Sequence, residues 1–351
     1  MTPTRIQAMV QRGDEIREKN LKGLNFRGFD LSGGIFLSCD FSGADLSGAK
    51  LEGGMFNQCR FDNANLASAV LVECVFSRCE APGARMPGAS LDGVMFESCN
   101  LAGVDFSGAD LGHASFADDV LDDASFADVR LEKLTVHGGS LLRVDFSRVL
   151  VRATFFRTDL RSAVFAGCSY DKTIFIESKL MGQVFRDQSF ENCQFTDADL
   201  SACDFEGATL LRCNFKGAQL EGGSLRRVRA LQSLFPEVRM KGVACTGGVF
   251  TQSIWIDAEL EGADFTGADL EQCVFHRARC GKTSFSESTL TYADFSYADL
   301  HDADFGGATF MRTKMHRALT EGTRFSDRGG LLPNDPDLFA AEEFSARRAR
   351  P

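Results

Sequence analysis

One tryptophan, three tyrosines, five histidines and seven prolines are spread thinly through 351 residues. No run of 18 apolar residues exists, so no membrane-spanning helix is expected. The opening stretch, MTPTRIQAMVQRGDEIREKN, has no apolar core and no small-residue cleavage site. A secretory leader is therefore not expected, and the expected location is the cytoplasm, where thiols stay reduced. The chain contains no C-x-x-C, no G-x-S-x-G, no Walker loop and no dinucleotide-binding glycine motif between a strand and a helix. A net charge of -11 argues against direct binding of nucleic acid.

What is present is lopsided. There are 32 Phe, 34 Gly and 12 Cys. A composition 44% hydrophobic and 25% charged excludes a disordered chain. A core that takes its aromatic volume almost wholly from Phe implies one structural slot filled many times. The slot recurs every five residues. From Leu21 to Val151 there are 27 such positions, all Leu, Phe or Met except Ala81, Val136 and Val151. From Phe155 to Phe325 there are 35 more, where only Ala230, Cys245, Cys280 and Thr320 are not Leu, Phe, Met, Trp or Tyr. The two runs differ by one residue in phase, so a one-residue slip lies near 146–160. Two residues before each large one stands a small one, as at Ala44, Ala64, Ala109, Ala198 and Ala268. Residues two apart on extended backbone point the same way, so small and large face inward together. The other three positions carry Asp, Asn, Ser, Arg, Glu and Gly, which turn and face solvent. A period of five is neither helical nor that of a plain strand.

Gly43-Ala44-Asp45-Leu46-Ser47 and Ala268-Asp269-Leu270-Glu271-Gln272 carry a resemblance. Over about Leu21 to Phe325 the chain resembles the pentapeptide-repeat family, whose units read A-(D/N)-L-x-x. The resemblance implies an all-β solenoid, a right-handed quadrilateral β-helix with four units per coil. Residues 20 apart should then stack, and they do share character: Phe36, Phe56, Phe76, Phe96 and Phe116 in one column, Leu101, Leu121 and Leu141 in another. Columns keep their character across the slip only if one coil has 19 residues, which favours one continuous stack of about 15 coils over two domains. The expected organisation is a helical cap at 1–20, the β-helix at 21–327, and a C-terminal cap helix with a basic tail at 328–351. Asp335-Pro336 reads as a helix N-cap followed by Pro at the first helical position.

The candidate sites are few. Ten Cys occupy the small inward slot and Cys245 and Cys280 the large one, which reads as packing rather than metal binding. All five His fall on or near outward slots, with no partner at zinc or triad spacing. No cofactor or metal is expected, and a filled interior leaves no pocket. Asp119, Gln183 and Gln188 fall on inward slots; local distortion is expected there, because burying a charge is costly. Charge is banded. Residues 101–129 hold Asp118, Asp119, Asp122, Asp123 and other Asp without Lys or Arg; Arg143, Arg148, Arg152, Arg157 and Arg161 then form a cationic girdle beside the slip. Leu331, Leu332, Leu338, Phe339 and Phe344 form an apolar C-terminal set, suited to capping the last coil or to a homodimer.

These features point to a non-enzymatic scaffold or adaptor that binds protein partners through banded charge. The resemblance implies two kinds of partner. Some family members accompany bacterial secretion machinery; others mimic DNA and bind DNA gyrase, protecting it from quinolones or inhibiting it.

Overall fold

The computed structural model describes residues 1–348; residues 349–351, the end of the basic tail, lie outside the described residues. The chain winds as a parallel β-solenoid of about 16 turns with a short helix near each terminus. It divides into two units, residues 1–179 and 180–351.

Each winding follows from two local geometries. After an inward residue the chain turns: Phe29 N–H donates to Phe26 O at 3.0 Å, with Gly28 at φ 69°. Left-handed backbone at the third residue of a four-residue turn is the type II arrangement that Gly accepts freely. Non-glycine residues adopt it too, including Asp123 at 60° and Arg143 at 55°. Between turns the extended backbone bonds to the coils on either side: Phe26 N–H donates to Asp45 O at 2.7 Å, and Asp45 N–H to Leu24 O at 3.0 Å. Every coil thus lies about 4.8 Å from the next, the spacing of paired strands.

In unit 1 one face forms a nine-stranded parallel sheet, running from Glu15–Arg17 through Ile35–Leu37, Met55–Asn57, Val75–Ser77 and Met95–Glu97 to Ile174–Ile176. Its register is 20 residues, Phe36 on Phe56 and Phe56 on Phe76. One step is 19: Val136 pairs with Phe155. There Val151, Ala153 and Phe155 all face inward on alternating residues, so two large inward slots stand four apart. Winding and period both begin one unit before Leu21, because Ile16 is fully buried and its strand pairs with Ile35–Leu37. Helix α1 (Pro3–Gln11) sits ahead of it and buries Ile6 and Val10.

The ladder spacing dictates the core. Phe36 and Phe56 stack with centroids 5.1 Å apart and planes 2° apart; Phe41 and Phe61 stack at 4.9 Å. In unit 2 the column is Phe195, Phe215, Phe235, Trp255, Phe275, Phe295, with Trp255 4.0 Å above Phe235. Rings of neighbouring columns meet edge to face, as Phe275 does with Phe285 at 79°. All 12 Cys are free and buried. Thiols in the small slot donate to carbonyls of the preceding coil, as Cys59 does to Phe36 O at 3.4 Å and Cys273 to Phe250 O at 3.0 Å. Burial pushes the Cys74, Cys203 and Cys273 thiols up to about 12, so they are inert packing groups.

Helix α2 (Pro336–Arg348) starts where the sequence places it, with Leu338 N–H donating to Asp335 Oδ1 at 2.9 Å. It does not close the stack: Phe310, Met315 and Phe325 of the last coil stay part-exposed. Leu331–Leu332 is not part of the helical cap either; it is a short strand parallel to Thr313–Lys314.

Phe205 is fully buried among Phe185, Phe190, Phe195 and Phe215. Phe205→Ala is expected to cost about 3–5 kcal/mol, since a ring held in a ladder of fixed pitch leaves a cavity that cannot collapse. Phe205→Asp is expected to open unit 2. The single Trp255 lies in that unit and reports its melting by fluorescence; wild-type melting of Phe205→Asp would contradict the inward assignment.

Candidate binding surfaces

The outward positions have distinct structural duties. The Asp before an inward residue turns back on its own chain. Asp45 Oδ1 accepts Ser47 N–H at 3.0 Å, and Asp105, Asp199, Asp264 and Asp269 accept in the same way at 3.0 Å. This repeated carboxylate shapes the turn. The residue two after the inward one sits at the left-handed corner, and corners 20 apart stand one above the other.

That stacking decides the fate of the cationic girdle. Arg143 pairs with Asp123 at 2.6 Å and Arg148 with Asp128 at 2.7 Å, each one coil away. Arg157 meets Glu177 at 2.8 Å, Arg152 meets Asp171 at 3.0 Å, and Arg161 turns to Asp159 at 2.6 Å. The girdle is therefore not an open band of positive charge, as the sequence alone suggests. Arg143 and Arg148 neutralise the edge of the acidic stretch, Arg152 and Arg157 reach to acids of the following coil, and Arg161 to one of its own. Hydrogen bonding to Arg143 holds the Asp123 carboxyl below its ordinary range. Phe156, off the five-residue period, lies outside the core between His137, whose ring stacks on it at 5.2 Å, and Arg157, 4.7 Å above it.

Of the four acidic candidates, three face out. Asp122 accepts from the Ser140 hydroxyl and from Leu142 N–H at 3.0 Å. Asp118, at φ 54°, places a carboxylate oxygen where any side chain at residue 138 would stand, and Gly138 leaves that room. Asp119 is not a surface residue. It is 2% exposed, in the inward column below Cys99. Neither is it distorted out of the slot, as expected: its two oxygens accept Cys99 N–H at 2.6 Å and Ala117 N–H at 2.9 Å. Burial pushes its carboxyl up to about 7, against the pull of those two donors.

The C-terminal segment overturns two further expectations, that every His is at the surface and that no pocket exists. His316 is buried. Its Nδ1 accepts Asp335 N–H at 3.2 Å, and its Nε2 stands 3.3 Å from Glu342. Glu342 also accepts from the Tyr297 hydroxyl and from Arg317, whose guanidinium bonds Glu343 at 3.0 Å and lies 4.2 Å above Phe339. These contacts latch α2 along the side of the last coils. Beneath it opens a cleft of about 560 Å³ lined by His276, Tyr297, Lys314, His316, Leu332 and Leu338. His276 Nε2 is 3.1 Å from Asp294, which Lys314 also approaches at 3.5 Å. A second cavity of about 400 Å³ lies at the uncovered last coil, lined by Met315, Phe325, Arg328 and Leu331. Leu338 and Phe344 of α2 are 47% and 58% exposed. Phe339, one of the apolar C-terminal set, was the part of this latch visible in the sequence; Glu342 and Glu343 were not. Among the described residues no group of three or more His, Cys, Asp or Glu could hold a metal ion, and no helix is long and apolar enough to cross a membrane.

The family description "Pentapeptide repeat region" matches residues 53–126. "Pentapeptide repeats (8 copies)" matches 20–58, 189–229 and overlapping segments across 240–327. No curated protein matches the sequence. Among solved structures, HetL of Nostoc sp. strain PCC 7120, a protein involved in heterocyst differentiation regulation, is 18% identical over 95% of this chain and 98% of its own, with a TM-score of 0.17. QnrB1, a plasmid-mediated fluoroquinolone resistance protein, is 21% identical over 60% of this chain and 90% of its own, with a TM-score of 0.25. Rfr23 of the cyanobacterium Cyanothece 51142 is 13% identical over 41% of this chain and 91% of its own, with a TM-score of 0.18. Likeness at this level carries no argument about partners.

The pH dependence of Asp119 has a definite sign. In the unfolded chain its carboxyl ionises in the ordinary range near 3.8; in the fold it holds its proton to about 7. Between those values the folded state binds more protons, so stability falls as pH rises through the window and the contribution is gone above about 7. Asp119→Cys continues the Cys39, Cys59, Cys79, Cys99 column. Its Tm advantage over wild type is expected to be larger at pH 8 than at pH 5. An equal difference at both values would mean that the carboxyl ionises freely.

Proposed function

This chain belongs to the pentapeptide-repeat family, and we propose that it is a non-enzymatic scaffold that binds protein partners through its outward columns. The observation that carries this reading is the set of corner ion pairs between coils. They hold long, exposed side chains in a fixed pattern at the strand spacing, and a pattern ordered before binding loses less entropy when a partner docks. The reactive groups have other duties: Asp shapes turns, Cys fills the core, and His316 anchors α2.

The test exchanges one pair, Asp123→Arg with Arg143→Asp. Both residues sit at left-handed corners, at 60° and 55°, so the swap keeps the pair and the backbone and reverses only the pattern. Tm is expected to stay unchanged, while capture of partners from the native cell falls roughly fivefold and weakens with salt. Undiminished capture at every salt concentration would refute the reading.

A second reading has one observation in its favour: residues 86–129 contain no Lys or Arg. That strip suits a DNA mimic with DNA gyrase as partner. The Arg143 and Arg148 pairs interrupt it, so the scaffold reading comes first. Inhibition of gyrase supercoiling at low micromolar concentration, undiminished when Arg143, Arg148, Arg152, Arg157 and Arg161 are all changed to Glu, would reverse that order.

We also propose a homodimer through the C-terminal segment. The uncovered last coil, with the exposed Leu332, Leu338 and Phe344, supports it. Light scattering at micromolar concentration is expected to give a dimer mass that falls to a monomer in Phe344→Ser with Leu338→Ser. A monomer mass for the wild type would end the proposal.

A further inference from the structure

Outward positions in this fold are mostly polar, and two outward columns break that rule over consecutive coils: Leu234, Ile254 and Val274 in unit 2, and a longer one in unit 1. On the nine-stranded face of unit 1, Ile35, Met55, Val75 and Met95 occupy one outward column in consecutive strands. Met55 is 51% exposed and Met95 53% exposed. The column is polar again on both sides, at Glu15 and at Ser115. Strand propensity explains an outward Ile or Val, but Met is not favoured there on that ground. Half-exposed methionines in line are unpartnered apolar surface of an adaptable kind.

The surroundings say what would cover it. The corner column beside the stripe is Gly33, Gly53, Glu73 and Gly93, so on that flank only Glu73 has a side chain. At Gly33 and Gly53 even a Cβ would meet nothing within 4 Å. The charged side chains around the stripe are mainly acidic: Glu52, Glu73 and Asp92 on the approaching turns, Glu97 and Asp118 on the departing ones, and Glu15 and Glu18 in the coil before, against Arg78 and Arg17, the latter paired with Glu15. The stripe also runs into residues 86–129, which lack Lys and Arg. Four strands span about 14 Å from first to last. On an α-helix, apolar residues at i, i+4, i+7 and i+11 span about 16 Å, at about 5.4 Å per turn. The two repeats stay nearly in step over this length.

We propose that this face is the docking site for a basic amphipathic helix of a protein partner. The helix lies along the coil axis, its apolar residues on Ile35, Met55, Val75 and Met95 and its Lys or Arg residues over the acidic rim. This rests on the scaffold reading and names the partner's chemistry, but it uses a face separate from the corner ion pairs.

The test uses the full chain and a fluorescein-labelled 14-residue helical peptide of the sequence Leu-Lys-Lys-Leu-Leu-Lys-Leu repeated twice. A scrambled peptide of the same composition without amphipathic period is the control, and anionic and neutral lipid vesicles are the competing surface. The expected result is saturable binding of the amphipathic peptide, at least tenfold tighter than the scramble and weakened by salt. Met55→Ser with Met95→Ser should reduce it at least tenfold at unchanged Tm. Peroxide oxidation gives the location: bound peptide should protect Met55 and Met95, while the buried Met86 and Met240 stay slow with and without it. Equal binding of the scramble, equal binding by the double variant, unprotected Met55 and Met95, or binding to vesicles with no selective binding of the peptide would each overturn the proposal. None of these outcomes touches the Asp123/Arg143 exchange, so failure here leaves the scaffold reading to stand or fall by its own test.

Discussion

Everything in this structure depends on a hydrogen-bond ladder of fixed register. Each coil gives N–H groups to, and accepts them from, the coils on both sides, so the residue above a position is the one 20 along, with 19 at the slip and 18 where Thr313 meets Leu331. Identical side chains then meet at the strand spacing. Phe rings stack because the ladder brings them to about 5 Å, and a planar ring is the large group that tolerates a copy of itself at that distance. Cys and Ala predominate in the other inward slot, with Val and Thr, because two residues earlier the same backbone leaves less room.

The same register governs the outside. Left-handed corners are easy for Gly and tolerable for Asp and Asn, yet Arg, Tyr and Glu also occupy them. The ladder holds the corner from both sides, so the backbone geometry persists whatever the side chain, and long side chains such as Arg143, Arg148, Arg157 and Arg277 pair with the corner one coil away. Charges that look segregated along the chain become neighbours when their separation is one coil. The surface is accordingly a lattice of paired charges with acidic excess, and the places where it ceases to be one are informative.

Those places are few. Asp119 puts a carboxyl in the core and answers it with two backbone donors. The apolar column from Ile35 to Met95 leaves a repeat position without its usual polarity. The C-terminal segment abandons the repeat and returns along the side of the last coils. Local consistency is the rule across the remaining coils, so departures of this kind are where binding and regulation are to be sought.

The five-residue period alone determined the inward and outward sets and the one-residue slip, and Asp335-Pro336 the start of the C-terminal helix, because each is a property of local backbone geometry. The 20-residue stacking and the 19-residue coil followed once the family resemblance supplied four units per coil. Only the tertiary structure decided which acid each arginine meets, that Asp119 remains in its slot, and that His316 is buried. Those outcomes depend on side-chain conformations across coils and on a non-repeating segment brought back over distance. Glu342 meets Tyr297 across 45 residues, and no period in the sequence encodes that contact.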